Sequence, residues 1–226
     1  LPLYALRRGL SAYGIGLLSG LKVVVLAATK PDMGRLSDLH GRRPQTIVGL
    51  LTTAVLAMFP LGSLVTLDRY ANRRFASLEL GAQASMDPQE IERLKSLQPD
   101  GADLVFELSG SPAALDQAID VTAYSGRVVI GSWYGRKEAG LHLGGRFHRS
   151  RIRLVSSQVS SIAPELSGRW TKERRFSLAW EMLRKIQPSR LVTQRIPIAQ
   201  AANAYQVLDL SPEQSIQFLL TYRQDT

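Results

Sequence analysis

Cysteine is absent from the 226-residue sequence. That excludes disulfides, thiolate nucleophiles and every zinc site built on cysteine, and it leaves a reducing, cytoplasmic setting as the default expectation. Histidine is nearly absent: His40, His142 and His148 stand at spacings that suggest no shared metal. The serine-rich run over residues 156–175 lacks the glycines that flank a nucleophile-elbow serine, which disfavours a serine hydrolase. No internal repeat or low-complexity tract occurs.

Acidic residues are the scarcer charge, 19 against 28 basic ones, so the chain carries a formal +9. Such an excess suits anionic partners without choosing among them. The basic run GGRFHRSRIR (residues 144–153) has no nucleic-acid motif around it and reads as a solvated loop entering a strand, so no nucleic-acid partner is expected. One apolar stretch, residues 9–29, has the length of a membrane span, but four glycines and Lys22 interrupt it. Its second half, LKVVVLAAT, reads equally well as a buried parallel strand, and no membrane association is expected.

After residue 44, helical stretches alternate with short runs of Val, Leu and Ile, the pattern of βα units around a parallel sheet. TIVGLLTTAVLAMF reads as a helix, SLVTLDRY as a strand, ANRRFASLELGA as a helix closed by Gly81, and ASMD as a short strand. DPQEIERLKSLQ opens with Asp87 as N-cap and Pro88 behind it. ADLVFELSG, RVVIGSWYG and RIRLVSSQ read as strands, and SPAALDQAIDVTAYSG as a helix running to Gly126. KERRFSLAWEMLRKIQ, SRLVTQRIPI, AQAANAYQVLDL and SIQFLLTY then read as helix, strand, helix and strand. The fold class implied is α/β, a Rossmann-type doubly wound parallel sheet with a partial second lobe.

In a dinucleotide-binding turn, three glycines permit the bend, the approach of pyrophosphate and the packing of the helix on the strand. Pro44, Thr46 and Gly49 occupy those spacings, so only the helix-packing glycine remains. Thr46 is expected to offer its amide and hydroxyl to a phosphate at the helix N-terminus. Asp68, nineteen residues beyond Gly49, stands near the offset of about 20 at which a carboxylate meets the adenosine ribose. That placement favours NAD. Arg69 and Arg73 leave NADP open, because a guanidinium accepts a 2′-phosphate. A strand-end carboxylate and a packing glycine without any ligand remain the alternative on these features alone.

IVGLLTTAVLA, LVTLDRYANRRFASLELGA, GADLVFELSGSPAALDQAI, GRVVIGSWYG and LVTQRIPIAQAANAY, in that order, resemble the medium-chain dehydrogenase/reductase family, in its zinc-type alcohol dehydrogenase-like branch. The resemblance runs from Ile47 to Tyr222. It implies a cofactor domain followed by a segment that completes a catalytic lobe, with hydride transfer between nicotinamide and an alcohol or carbonyl. It places Asp68 at the adenosine ribose with Arg73 beside it, Leu108, Ser109 and Gly110 along the cofactor groove, and Ile130, Gly131 and Ser132 toward the nicotinamide. Trp133 and Tyr134 would lead to the substrate side. It implies pairing through the edge of the cofactor sheet as a homodimer, to which GRVVIGSWYG would contribute.

The family's zinc ligands have no counterpart here, so no zinc is expected in this chain, no catalytic residue is assigned, and independent turnover is not expected. Binding of a nucleotide or of a partner without catalysis is the alternative function. The chain divides into three segments: an atypical leader over 1–43, a dinucleotide-binding domain over 44–160, and a C-terminal segment over 161–226. For the leader two arrangements stay open. Either LKVVVLAAT supplies the first strand through a long loop, or residues 1–43 are unrelated to the rest of the chain. The abrupt change in composition favours the second.

Overall fold

The computed structural model describes residues 22–26, 43–158 and 160–222. Six strands form one parallel sheet: β1 (Lys22–Leu26), β2 (Ser63–Leu67), β3 (Ala84–Met86), β4 (Ala102–Glu107), β5 (Thr122–Ile130) and β6 (Arg153–Ser156), in the order β3-β2-β1-β4-β5-β6. This is the Rossmann order, with the reversal of direction between β1 and β4. All five strand pairs are parallel. The apolar runs that carry no alternation are the ones buried on both faces: Leu64, Leu67, Val105 and Val128 are almost wholly enclosed. Each such side chain contributes about 2 kcal/mol of transfer free energy.

The strand over Lys22–Leu26 corrects the division at residue 43. It is the central strand, paired with β2 on one side and β4 on the other, so the first of the two arrangements holds for these five residues. Two neighbouring strands outweigh a shift in composition, because Val23, Val24 and Val25 complete a ladder that β2 and β4 would otherwise leave open.

Between the strands lie α1 (Arg43–Leu56), α2 (Ala71–Glu79), α3 (Ile91–Leu97) and α4 (Pro112–Asp120). Asp87 caps the turn before α3 as expected: its side chain accepts from the Gln89 amide, while Glu90 accepts from the Asp87 amide. Helix α4 is shorter than the sequence suggests. It stops at Asp120, and Thr122 already belongs to β5, fully buried with its hydroxyl donating to the Ala118 carbonyl at 2.6 Å. Burial of β-branched Val121 and Thr122 against the sheet overrides the helical reading of VTAYSG.

The C-terminal part adds α5 (Lys172–Ile186), β7 (Val192–Pro197), α6 (Ala201–Leu210) and β8 (Gln217–Thr221), with β7 and β8 forming a separate parallel pair. Ile186 and Leu191 pack with Leu50 and Ala54 of α1 and Ala76 of α2, which ties this segment to the large sheet's helices. Trp180, on α5, is 61% exposed.

Candidate functional site

Strand register sets a row of residues at the carboxyl edge of the sheet. Met86 pairs with Leu67, Leu67 with Leu26, Leu26 with Glu107, Glu107 with Ile130 and Ile130 with Ser156. The residues that come next in each strand therefore emerge together: Asp68 after β2, Leu108–Gly110 after β4, Gly131–Ser132 after β5. The crevice at this edge, where strand order reverses, is the ligand position of open α/β sheets. The cofactor-binding residues singled out from sequence lie at this edge or on α1 and α2 beside it.

On the β2 side, Asp68 is buried, its amide donating to the Met86 carbonyl at 3.0 Å and its Oδ1 accepting from the Tyr70 amide at 2.9 Å. Burial raises its carboxyl pKa to about 6, against the lowering pull of Arg73. Arg73 is buried too, its guanidinium stacked 4.4 Å from the Tyr70 ring centroid. Among the described residues its Nε and Nη1 have no hydrogen-bond partner, nor has the buried Nη1 of Arg69. Arg74, which drew no attention in the sequence, donates to the carbonyls of Asp68 and Arg69 at 2.8 and 2.9 Å and so holds the turn after β2. A buried donor without a partner marks a place where a ligand or water belongs.

On the β4–β5 side, the sequence reading missed the central group. Glu107 is fully buried. Its Oε1 accepts from the Ser109 amide at 2.7 Å, the Gly110 amide at 3.1 Å and the Ser109 hydroxyl. Its Oε2 accepts from the Ser132 hydroxyl and from Tyr134 Oη at 2.7 Å. Burial and the Glu107 charge push the Tyr134 hydroxyl well above the ordinary phenol range, so it stays a donor. The available signal was a lone carboxylate closing an apolar strand, LVFE, with a serine two residues on. Gly110 adopts a left-handed φ of 65°, which lets the turn fold back onto Glu107. At Gly131, an added Cβ would meet Leu108 Cδ2 at 2.6 Å, so those two expected groove residues pack on each other. Lys137 Nζ donates to the Gly110 carbonyl at 2.8 Å, drawing the loop after β5 across the groove.

Helix α1 begins at Arg43, which makes Thr46 its fourth residue. That position is at the end of the helix's first turn, where the free amides of a helix lie. Gly49 is buried on the helix, its carbonyl accepting from Thr53 Oγ1 at 3.0 Å, in keeping with a packing role.

Among the described residues no three His, Asp or Glu side chains converge to hold a metal. His40 lies outside the described residues. His142 instead pairs with Asp116, Nδ1 to Oδ2 at 2.7 Å. In the basic run, Arg146 Nε donates to the Thr122 carbonyl at 2.9 Å, and a cavity of about 230 Å³ beside it lies at the amino ends of β4 and β5, away from the crevice. Strand β5 is paired on both sides, so the sheet edge belongs to β6 rather than to GRVVIGSWYG. No helix among the described residues is long and apolar enough to cross a membrane.

The family described as zinc-binding dehydrogenase matches residues 48–176. D-guloside 3-dehydrogenase of Escherichia coli K12 is 28% identical over 167 residues, 70% of this chain and 47% of that protein. The chain thus spans about half the length of that relative. A short chain alcohol dehydrogenase from E. coli CFT073, solved with NADH, shares the fold at a TM-score of 0.67 and 16% identity, covering 90% of this chain and 53% of that one. A putative zinc-binding dehydrogenase from Sinorhizobium meliloti 1021, bound to NADP, does so at a TM-score of 0.63 and 20% identity, covering 91% and 53%.

Proposed function

Because the chain belongs to the zinc-binding dehydrogenase family, we propose that its carboxyl-edge crevice binds a nicotinamide dinucleotide, NAD in preference to NADP, as the cofactor-holding part of an oxidoreductase. The observation that carries this reading is the buried Asp68 beside the unmet N–H groups of Arg73. An acceptor next to donors suits the hydroxyl pair of a ribose, each hydroxyl of which both gives and takes a hydrogen bond. A 2′-phosphate would satisfy Arg73 and oppose Asp68, hence the preference for NAD. Leu108, Ser109, Gly110, Ile130, Gly131 and Ser132 would form the wall along the rest of the cofactor.

The dinucleotide, when bound, supplies hydride exchange with an alcohol or its carbonyl counterpart. This chain's residues orient it: Asp68 accepts from the ribose, Glu107 holds the opposite wall still through Ser109 and Tyr134, and Lys137 keeps the loop after β5 close. No step is routed through zinc, since no ligand set for it occurs among the described residues. We assign no catalytic residue, and binding without independent turnover is the second reading that this favours. A homodimer through the free edge of β6 belongs to the same proposal.

Fluorescence titration with NADH and NADPH tests it. Saturable NADH binding, weakened about tenfold in Asp68→Asn by loss of a charge-assisted hydrogen bond, is the expected result. Absence of saturable binding of either nucleotide by the unaltered chain overturns it.

A further inference from the structure

We propose that Glu107 biases the crevice toward the oxidised form of the cofactor, its buried negative charge favouring the cationic nicotinamide ring over the neutral ring of the reduced form. The inference rests on the dinucleotide reading above. With Asp68 at the adenosine ribose after β2, a cofactor laid across the reversal point must carry its nicotinamide half to the β4–β5 side. There the register puts Glu107 level with Leu26 of the central strand and Ile130 of β5, directly under the turns that would wall that half.

The charge is not needed merely to join those turns. Five donors converge on Glu107, two of them amides and three hydroxyls. A neutral amide side chain would serve nearly as well, because hydroxyls turn to accept as readily as to donate. Complete removal of an anion from water is costly, so an ionised group here demands a compensating cation or donors on every lone pair. The donors occupy the lone pairs but carry no net charge, and a cationic ring in the crevice would offset the charge itself. The β2 side carries Arg69, Arg73 and Arg74 with the buried Asp68, while the β4–β5 wall carries the buried Glu107 with the Lys137 ammonium on the Gly110 carbonyl.

The test is the ratio of dissociation constants for NAD+ and NADH, measured by calorimetry on the whole chain. In Glu107→Gln, the amide oxygen keeps the Ser109 and Gly110 donors while its NH2 group donates to Ser132 and Tyr134. The ratio should then move against NAD+ by about tenfold, the effect of one unit charge at roughly 10 Å in a medium of intermediate dielectric. Tyr134→Phe keeps the charge but removes one donor dipole that screens it, and should move the ratio the other way, by about twofold. Should Glu107→Gln not fold, the Tyr134→Phe result decides alone. If the variants lower both affinities in equal proportion, or leave the ratio unchanged, Glu107 is a structural clamp and the proposal falls. If the unaltered chain binds neither nucleotide, the dinucleotide reading falls first and this one with it.

Discussion

The two walls of the crevice treat buried charge in opposite ways. After β4, Glu107 is wholly enclosed and every donor aimed at it is used. After β2, Asp68 and Arg73 are almost as enclosed, yet Arg73 keeps two N–H groups without partners among the described residues and burial has lifted the Asp68 carboxyl to about 6. One wall is finished by the chain itself and the other is left incomplete. A finished network rigidifies its turns, whereas an incomplete one stores unfavourable desolvation that a ligand would relieve. On the proposed dinucleotide reading, the contrast separates a positioning element from a recognition element.

Removing each carboxylate would sharpen or break that contrast. Glu107→Leu should have the largest effect, about 4 kcal/mol of lost stability in urea unfolding, because buried amides and hydroxyls lose their common acceptor. A loss within error would mean the network is not formed. Asp68→Asn should act in the opposite sense. The folded carboxyl has its pKa raised from 3.8 to about 6, so the folded chain holds the proton more tightly. The contribution of Asp68 to stability is then fully present below about pH 4 and falls as pH rises toward 6, by about 2 kcal/mol, and Asp68→Asn should flatten that slope. A slope of equal size in the variant would locate the titration elsewhere.

The smallest effect is expected outside both walls. His142 and Asp116 tie the loop after β5 to α4, the Asp116 hydrogen bond raising the histidine's pKa and the ion pair holding while the ring is protonated. The tie should loosen as pH rises through the histidine's titration. Hydrogen exchange in residues 136–142 should quicken over that range, and in His142→Ala should be quick throughout, with little change in the unfolding midpoint. An equally slow loop in the variant would mean that Lys137 alone retains it.

Much of the fold was legible in residue pattern. The caps at Asp87 and Gly81, the apolar strands and the C-terminal βαβ unit are local features, each set by a few neighbouring side chains. The placement of Asp68, Ser109 and Gly131 at the carboxyl edge of the sheet was legible because each follows a strand end. Glu107 was not legible, because a carboxylate's partners 25 and 27 residues away cannot be read from spacing.

Order of strands and helices, the absence of thiol chemistry and the positions of the strand-end polar groups were determined by the sequence alone, through periodicity, composition and punctuation. Only tertiary structure decided that Lys22–Leu26 is the central strand, that β5 begins at Thr122, and that Glu107 is satisfied while Arg73 is not. The physical reason is common to all three. Ladder completion, burial and hydrogen-bond satisfaction depend on which distant segments meet, and local propensity carries no record of that meeting.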